Sequence, residues 1–342
     1  MTLVDASRGN VVLGEGQCCF RIGGVSLGFG CDRATLGIHR TLAMFNVMET
    51  TPDISISVGW VRRLRLAEQS SFDAGSTWKV RDLGSHLQFD FCAGSSEERP
   101  YKRLVTDKQF CVAKLQMSEE VGQSFGFLSP LSYPLDELLI MHRLTQEKAI
   151  ELHGTGIVRS NGEANLFVGH SGAGKSTTTR LWTAMEDVEV LSDDRIIVRR
   201  DEAAPVVEAP CAAGGAASKP GVLRLRDRSA SPNGHFAQDD KNKRIRMYGT
   251  PWHGDAMYAS PNSALLSRIF VLEHGFGNVI TPLTASQAVA ELFARSFVPF
   301  HRHEYVDSAL DFLQELVDSV PVYRYSFEPD QGAVEKILHF HD

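Results

Sequence analysis

Cysteine is sparse and unpatterned in this chain. There are six in 342 residues, with no C-x-x-C pair and no Cys/His cluster at zinc spacing. Cys18 and Cys19 are adjacent, and neighbours on a strand point to opposite faces, a poor geometry for a shared chelate or disulfide. A zinc- or disulfide-stapled fold is therefore not expected, and reduced thiols in a cytoplasmic setting are. No apolar run reaches the roughly 18 residues that a spanning helix needs, so no membrane partner is expected. Met1 to Asp5 offer neither a basic cap nor a following apolar stretch, so no secretory signal is expected. Positive charge is also short, with 35 Lys and Arg against 42 Asp and Glu and a formal charge of -7. That balance speaks against a nucleic-acid partner, whose affinity would rest on phosphate neutralisation. No internal repeat is apparent.

What is present reads as a globular protein, with 43% hydrophobic and 23% charged residues. The length exceeds the usual limit of a single core, so two domains, or one domain with a large appendage, are expected. The character of the chain changes near Pro130. In residues 1–130, segments such as Ile54–Val58 and Leu87–Phe91 alternate apolar and polar residues at period two, the mark of half-buried strands. Turn residues separate them, at Gly23-Gly24, Asp73 to Ser76 and Gly94 to Glu98. One helix is expected, about Ala34 to Met48, inside a mainly antiparallel β domain.

Residues 131–342 read as an α/β domain. A helix is expected over Tyr133–Leu144, with Pro134 in its first turn and acids after it. Strands follow at Ala149–Val158 and Ala164–Val168, on either side of a Ser160-Asn161-Gly162 turn. Farther on, a strand is expected at Ser267–Leu272, helices at Thr284–Phe297 and Glu304–Ser319, a strand at Val322–Phe327 and a last helix from near Pro329. The Gly-, Ala- and charge-rich stretch from Cys211 to Asp240 is expected to be a mobile excursion or active-site flap.

Gly169-His170-Ser171-Gly172-Ala173-Gly174-Lys175-Ser176-Thr177 fits G-x-x-x-x-G-K-[ST] without a mismatch. Its glycines permit a bend that turns successive amides inward onto phosphate oxygens. Lys175 supplies a cation for the β- and γ-phosphates, and the Ser176 hydroxyl a ligand for Mg²⁺. The helix expected to begin at Lys175 aims its positive end at the same anion. The nucleotide-binding set is thus Gly169, Ser171, Gly172, Ala173, Gly174, Lys175, Ser176 and Thr177, and the implied ligands are ATP, or another nucleotide triphosphate, and Mg²⁺.

Asp193 lies 18 residues after Lys175, which leaves room for one helix and one strand. Asp193 and Asp194 are therefore expected at the carboxyl end of the strand beside the phosphate loop, where ligands of open α/β sheets bind. One acid, Asp193, could hold Mg²⁺, and the other, Asp194, could accept the proton of an attacking hydroxyl. Transport and motor ATPases place their acid farther along the chain and carry a signature such as LSGGQ, which is missing here.

These residues resemble the kinase domain of HPr kinase/phosphorylase and its relatives, which share a P-loop core with ATP-dependent phosphoenolpyruvate carboxykinase. The matching elements are Leu152-His153-Gly154, the loop from Gly169 to Ser176, and Asp193-Asp194-Arg195, in the family's order over roughly residues 150 to 200. The resemblance implies an α/β P-loop kinase fold, with His153, Lys175 and Asp194 as active-site groups, Ser176 on Mg²⁺, and an oligomer. The family's second acidic metal ligand and its glycine-rich signature are not recognisable; Glu208 is a weak substitute, and Cys211 to Gly215 does not match. In this the chain is similar to divergent HPr-kinase-related proteins, some of which phosphorylate a serine in a peptide or a free amino acid.

The expected activity is transfer of a γ-phosphoryl group to a hydroxyl-bearing acceptor. Carboxykinase chemistry on a small acid and non-catalytic nucleotide binding are the alternatives. Some features read two ways. His170 either faces solvent or approaches the nucleotide. The stretch from Tyr248 to Asp255 is either a substrate-side loop or a plain connection, and Lys243, Arg244 and Arg246 are either phosphate-facing cations or a solvated face. His301, His303 and Glu304 suggest either a metal or an ordinary exposed turn.

Overall fold

A computed structural model describes the chain except for residues 1–2, 6–9, 14–16, 32–35, 49–50, 66–69, 75–76, 93–98, 121–128, 186, 202–243 and 342. The fold is mixed α/β and rests on two large mixed sheets. The flap expected between Cys211 and Asp240 lies outside the described residues, as do Glu208 and Lys243.

The first large sheet has nine strands, and its period-two segments become Ile54–Val61 and His86–Cys92. Alternation places Ile54, Ile56 and Val58 inside and leaves Ser55 and Ser57 outside. The sheet is antiparallel over most of its width, but Ile54–Val61 runs parallel to both of its neighbours, Val25–Cys31 and Val112–Ser118. The long helix expected near Ala34 to Met48 does not form. Leu36–His39 is a strand paired with Asn10–Leu13, and the helix that follows spans only Arg40–Ala43. Ladder pairing and burial of Ile38 outweigh the weak local helical preference there.

The helix Leu135–Leu144 starts with Pro134 at its cap. Leu135, Leu138, Leu139, Ile140 and Leu144 enter the same core as Phe20, Phe89, Leu115 and Met117 of the nine-stranded sheet. The cluster also takes in Ile197 and Trp252, so it continues into the second sheet.

That second sheet has ten strands, and its faces are set by residue parity. Leu166 and Val168 of the strand Ala164–Val168, with Ile269 and Val271 of Arg268–His274, face the helices Ala285–Phe293 and His303–Ser319. Phe167, Phe270 and Leu272 point the other way, toward Trp182 of the helix Lys175–Thr183 and Val334 and Ile337 of the helix Gln331–Leu338. The Phe167 and Phe270 rings stack at 5.3 Å. Burying each such side chain contributes about 1.5–3 kcal/mol. Helices on both faces explain why these strands read as continuous apolar runs.

Thr284 caps Ala285–Phe293 through a reciprocal capping box with Gln287. The helix ends four residues short of its expected limit, and Ser296–Phe297 instead forms a short strand against Glu151 and Leu152.

The organising element is the 11-residue strand Ala149–Arg159. Its first five residues pair with Arg195–Arg200, whereas Gly154 to Arg159 pair with Ala164–Val168 and with Val188–Ser192. His153 and Gly154 sit where the strand changes partners. Gly154 is required there, because a Cβ would lie 2.8 Å from the Phe167 carbonyl oxygen. The strand Ala149–Arg159 lies between Ala164–Val168 and Val188–Ser192. Both flankers are antiparallel to it, so they are parallel to each other, and their carboxyl ends share one edge.

Candidate functional site

The glycine-rich segment joins Ala164–Val168 to the helix Lys175–Thr183 as a tight loop. Gly174 caps the helix with φ 104°, in the left-handed region, and a Cβ there would come 2.5 Å from the Phe327 ring. Backbone conformation and close approach both demand glycine. Lys175 is buried, and its Nζ donates to the carbonyl oxygens of Gly169 (2.9 Å) and His170 (3.2 Å). Burial pushes its ammonium group below the usual lysine range; Asp194 opposes that shift, and Arg195 and Arg295 add to it. A cation at the first turn of a helix, on the wall of a cavity, is suited to an anion.

A hydroxyl chain fastens this helix to the sheet. Thr179 Oγ1 lies 3.1 Å from Thr155 Oγ1, which donates to the Ser192 carbonyl at 3.0 Å. Ser192 is the last residue before the two acids, so loop and acids keep a fixed spacing.

The acids do different work. Asp193 is 3% exposed, and its carboxylate accepts from the amides of Gly254 (3.0 Å), Ala256 (2.9 Å) and Tyr258 (3.2 Å). It thereby anchors the Gly254–Tyr258 segment over the site, with Met257 in the left-handed region at φ 59°. Asp194 is turned the other way. Its Oδ1 lies 2.9 Å from His153 Nε2, and its Oδ2 accepts from Arg195 Nε at 3.0 Å. Partial burial pushes the Asp194 carboxyl up, but the His153 hydrogen bond and the Arg195 guanidinium outweigh it and hold the group at about 2. Asp194 is thus an anion at neutral pH, and His153 Nε2 carries the hydrogen of their contact.

His153, Ser171, Gly172, Gly174, Lys175, Ser176, Thr177, Asp193 and Asp194 all line one cavity of about 460 Å³, together with Gly254 and Asp255. Nine of the expected site residues therefore meet. Gly169 and Ala173 lie beneath the loop, Gly169 through its carbonyl to Lys175 and Ala173 against the aromatic layer below. His170 is exposed and does not line the cavity.

Gly254 and Asp255 place part of the Tyr248–Asp255 stretch at the cavity. The expectation of phosphate-facing arginines fares differently, because Arg246 is engaged by Asp201 at 2.9 Å, away from the loop. Among the described residues no group of three or more His, Cys, Asp or Glu side chains is placed to hold a metal ion. His301 instead packs against His142, with ring centroids 5.0 Å apart, and Glu304 pairs with Arg302.

Mg²⁺ at nucleotide sites commonly takes one or two protein oxygens, with phosphates and waters completing its shell. The Ser176 hydroxyl at the cavity wall and the glycine cradle fit that demand. Asp193, with three amides on its two oxygens, retains a single lone-pair direction for such a role.

Two contributors escaped sequence reasoning. His274, at the end of its strand, has Nε2 2.5 Å from the Gly172 carbonyl oxygen and so braces the loop. Glu137, in the helix Leu135–Leu144, reaches Arg195 at 2.6 Å. Both signals are long-range contacts with no local pattern. No helix of the described residues is long and apolar enough to cross a membrane. Comparison with protein-family models and with curated proteins finds no match to this chain.

Proposed function

We propose that this chain is a Mg²⁺/ATP-dependent phosphotransferase, working in the cytoplasm, that passes a γ-phosphoryl group to a hydroxyl acceptor, a serine-type group on a peptide, protein or small molecule. On this reading residues 131–342 form a P-loop kinase domain of the HPr kinase/phosphoenolpyruvate carboxykinase type, and residues 1–130 a β domain beside it. The supporting observation is the shared cavity, where an anion cradle built on Lys175 opens toward an ionised Asp194 held by His153 and Arg195.

The loop and Lys175 bind the polyphosphate of the donor, and Ser176 would hold Mg²⁺, which would supply charge neutralisation to the phosphates. Asp194 accepts the acceptor's hydroxyl hydrogen and aims its oxygen in line with the γ-phosphorus. A carboxyl held at about 2 is a weak base. Phosphoryl transfer through a loose transition state demands orientation more than early proton removal, so such an anion suffices. His153 fixes the Asp194 rotamer, and Asp193 keeps Gly254 and Asp255 at the acceptor side.

The test is mass spectrometry of a peptide and metabolite pool incubated with the protein, ATP and Mg²⁺. The reading expects a species heavier by one phosphoryl group together with ADP. Tight ATP binding with no such product under any pool would overturn it in favour of a non-catalytic nucleotide-binding protein.

A further inference from the structure

Arg195 is the most heavily restrained side chain at the site. Its Nε donates to Asp194 Oδ2, and its Nη1 donates to Glu137 Oε1 at 2.6 Å and lies 3.5 Å from Glu151 Oε1. Its guanidinium carbon sits 3.6 Å over the centre of the Phe297 ring, and its backbone carbonyl accepts from Thr250 Oγ1 at 2.8 Å. Side-chain exposure is 16% for Arg195, 9% for Glu137 and 0% for Glu151. In so dry a setting a cation and its partners hold one geometry, and removal of one partner leaves an uncompensated buried charge.

We propose that Glu137 is a positioning residue of this site, acting through Arg195 to set the orientation of the Asp194 carboxylate against His153. The proposal rests on the phosphotransferase reading for its consequence in turnover, but its geometry stands apart from it. Glu137 belongs to the helix Leu135–Leu144, whose apolar side enters the core of the nine-stranded sheet. The acceptor-facing carboxylate is thus held from the N-terminal side of the molecule, and the phosphate loop is held from the other sheet.

The two glutamates are not equivalent. Burial drives the Glu151 carboxyl well above the usual range, the Glu137 charge adds to this, and Arg195 opposes it. Geometry separates them as well: Glu137 Oε1 lies 2.6 Å from Arg195 Nη1, whereas Glu151 Oε1 lies 3.5 Å from it. Arg195 lies between two carboxylates, Glu137 and Asp194, and shares its hydrogens between them.

That asymmetry makes the test specific. Glutamine keeps the shape of glutamate and removes its charge, so Glu151→Gln, at the longer contact, should change the site little, whereas Glu137→Gln removes the close partner that steers Arg195. The first readout needs no acceptor: the ¹⁵N imidazole spectrum of His153 at neutral pH, assigned by its loss in His153→Asn. The wild type and Glu151→Gln should show a single Nε2–H tautomer, and Glu137→Gln a mixture. The second readout is transfer, where Glu137→Gln should lower turnover about 10- to 100-fold with the dissociation constant of Mg·ATP changed less than about threefold. In an Asp194→Asn background the same substitution should add nothing.

Identical spectra for the two glutamine variants, or an unchanged spectrum in Glu137→Gln, would overturn the proposal. If Glu137→Gln fails to fold, Glu137→Asp keeps the charge, and a single tautomer in that variant is the expected result. A tautomer mixture there would count against the assignment. Absence of any transfer in the wild type would sink the phosphotransferase reading and leave the spectral test intact.

Discussion

His153 Nε2 and Asp194 Oδ1 lie 2.9 Å apart across 41 residues of sequence. The strand Ala149–Arg159 carries the first to the point where its partners change, and the turn after Val188–Ser192 carries the second to the same edge. Asp194→Asn keeps the shape and removes the anion. The expected outcome is retained Mg·ATP binding by calorimetry, with transfer reduced about 10²–10⁴-fold.

Gly174 answers to both a positive φ and the Phe327 ring. Gly174→Ala should lower stability by about 1–3 kcal/mol and distort the cradle. Urea unfolding and nucleotide titration of the same sample check both effects.

His274 is exposed, so its removal should spare the core while releasing the Gly172 carbonyl. His274→Ala is expected to unfold at nearly the wild-type temperature but to bind Mg·ATP about 3- to 10-fold more weakly, equal to about 0.7–1.4 kcal/mol.

Asp193 holds three alternate amides of its loop. In Asp193→Ala the amides of Gly254, Ala256 and Tyr258 should exchange with solvent about tenfold faster or more, while the strand Ala164–Val168 keeps its protection.

Burial, together with His301, pushes the His142 imidazole down to about 3, although its Nδ1 donates to the Leu138 carbonyl at 2.6 Å. His301 is pushed down to about 4, by burial first and Arg302 next, with Asp82 opposing. The unfolded chain takes up these protons near pH 6.5, before the native state does, so native stability falls on acidification from about pH 6.5 through 4. Asp136, raised to about 6 by burial, works in the opposite sense. The difference between wild type and His142→Gln therefore isolates the effect. Denaturant unfolding between pH 7 and about 4.5 should give a shallower loss of stability in the variant.

Much of the second sheet was legible because its signals are local. The Ala164–Val168 strand, the loop glycines and the helix from Lys175 follow from apolar runs and turn chemistry within one stretch of chain. Val322–Phe327 was equally readable from its alternation. Strand order was not, because nothing in Val188–Ser192 says that Ala149–Arg159 would intervene between it and Ala164–Val168. The Leu36–His39 segment was misread because its partner, Asn10–Leu13, is distant in sequence.

At the site, residue types with a known spacing were identified, and Lys175, Ser176, Asp193 and Asp194 do meet in one cavity. The division of labour between the two acids lies in amides some 60 residues away, which no spacing rule encodes. Glu137 and His274 act through single long-range bonds and leave no pattern.

The most direct measurement is a calorimetric titration of the purified protein with ATP and Mg²⁺, set beside the same titration of Lys175→Ala. The account predicts saturable heat in the wild type and none in the variant. No heat from either protein, or equal heat from both, would contradict it.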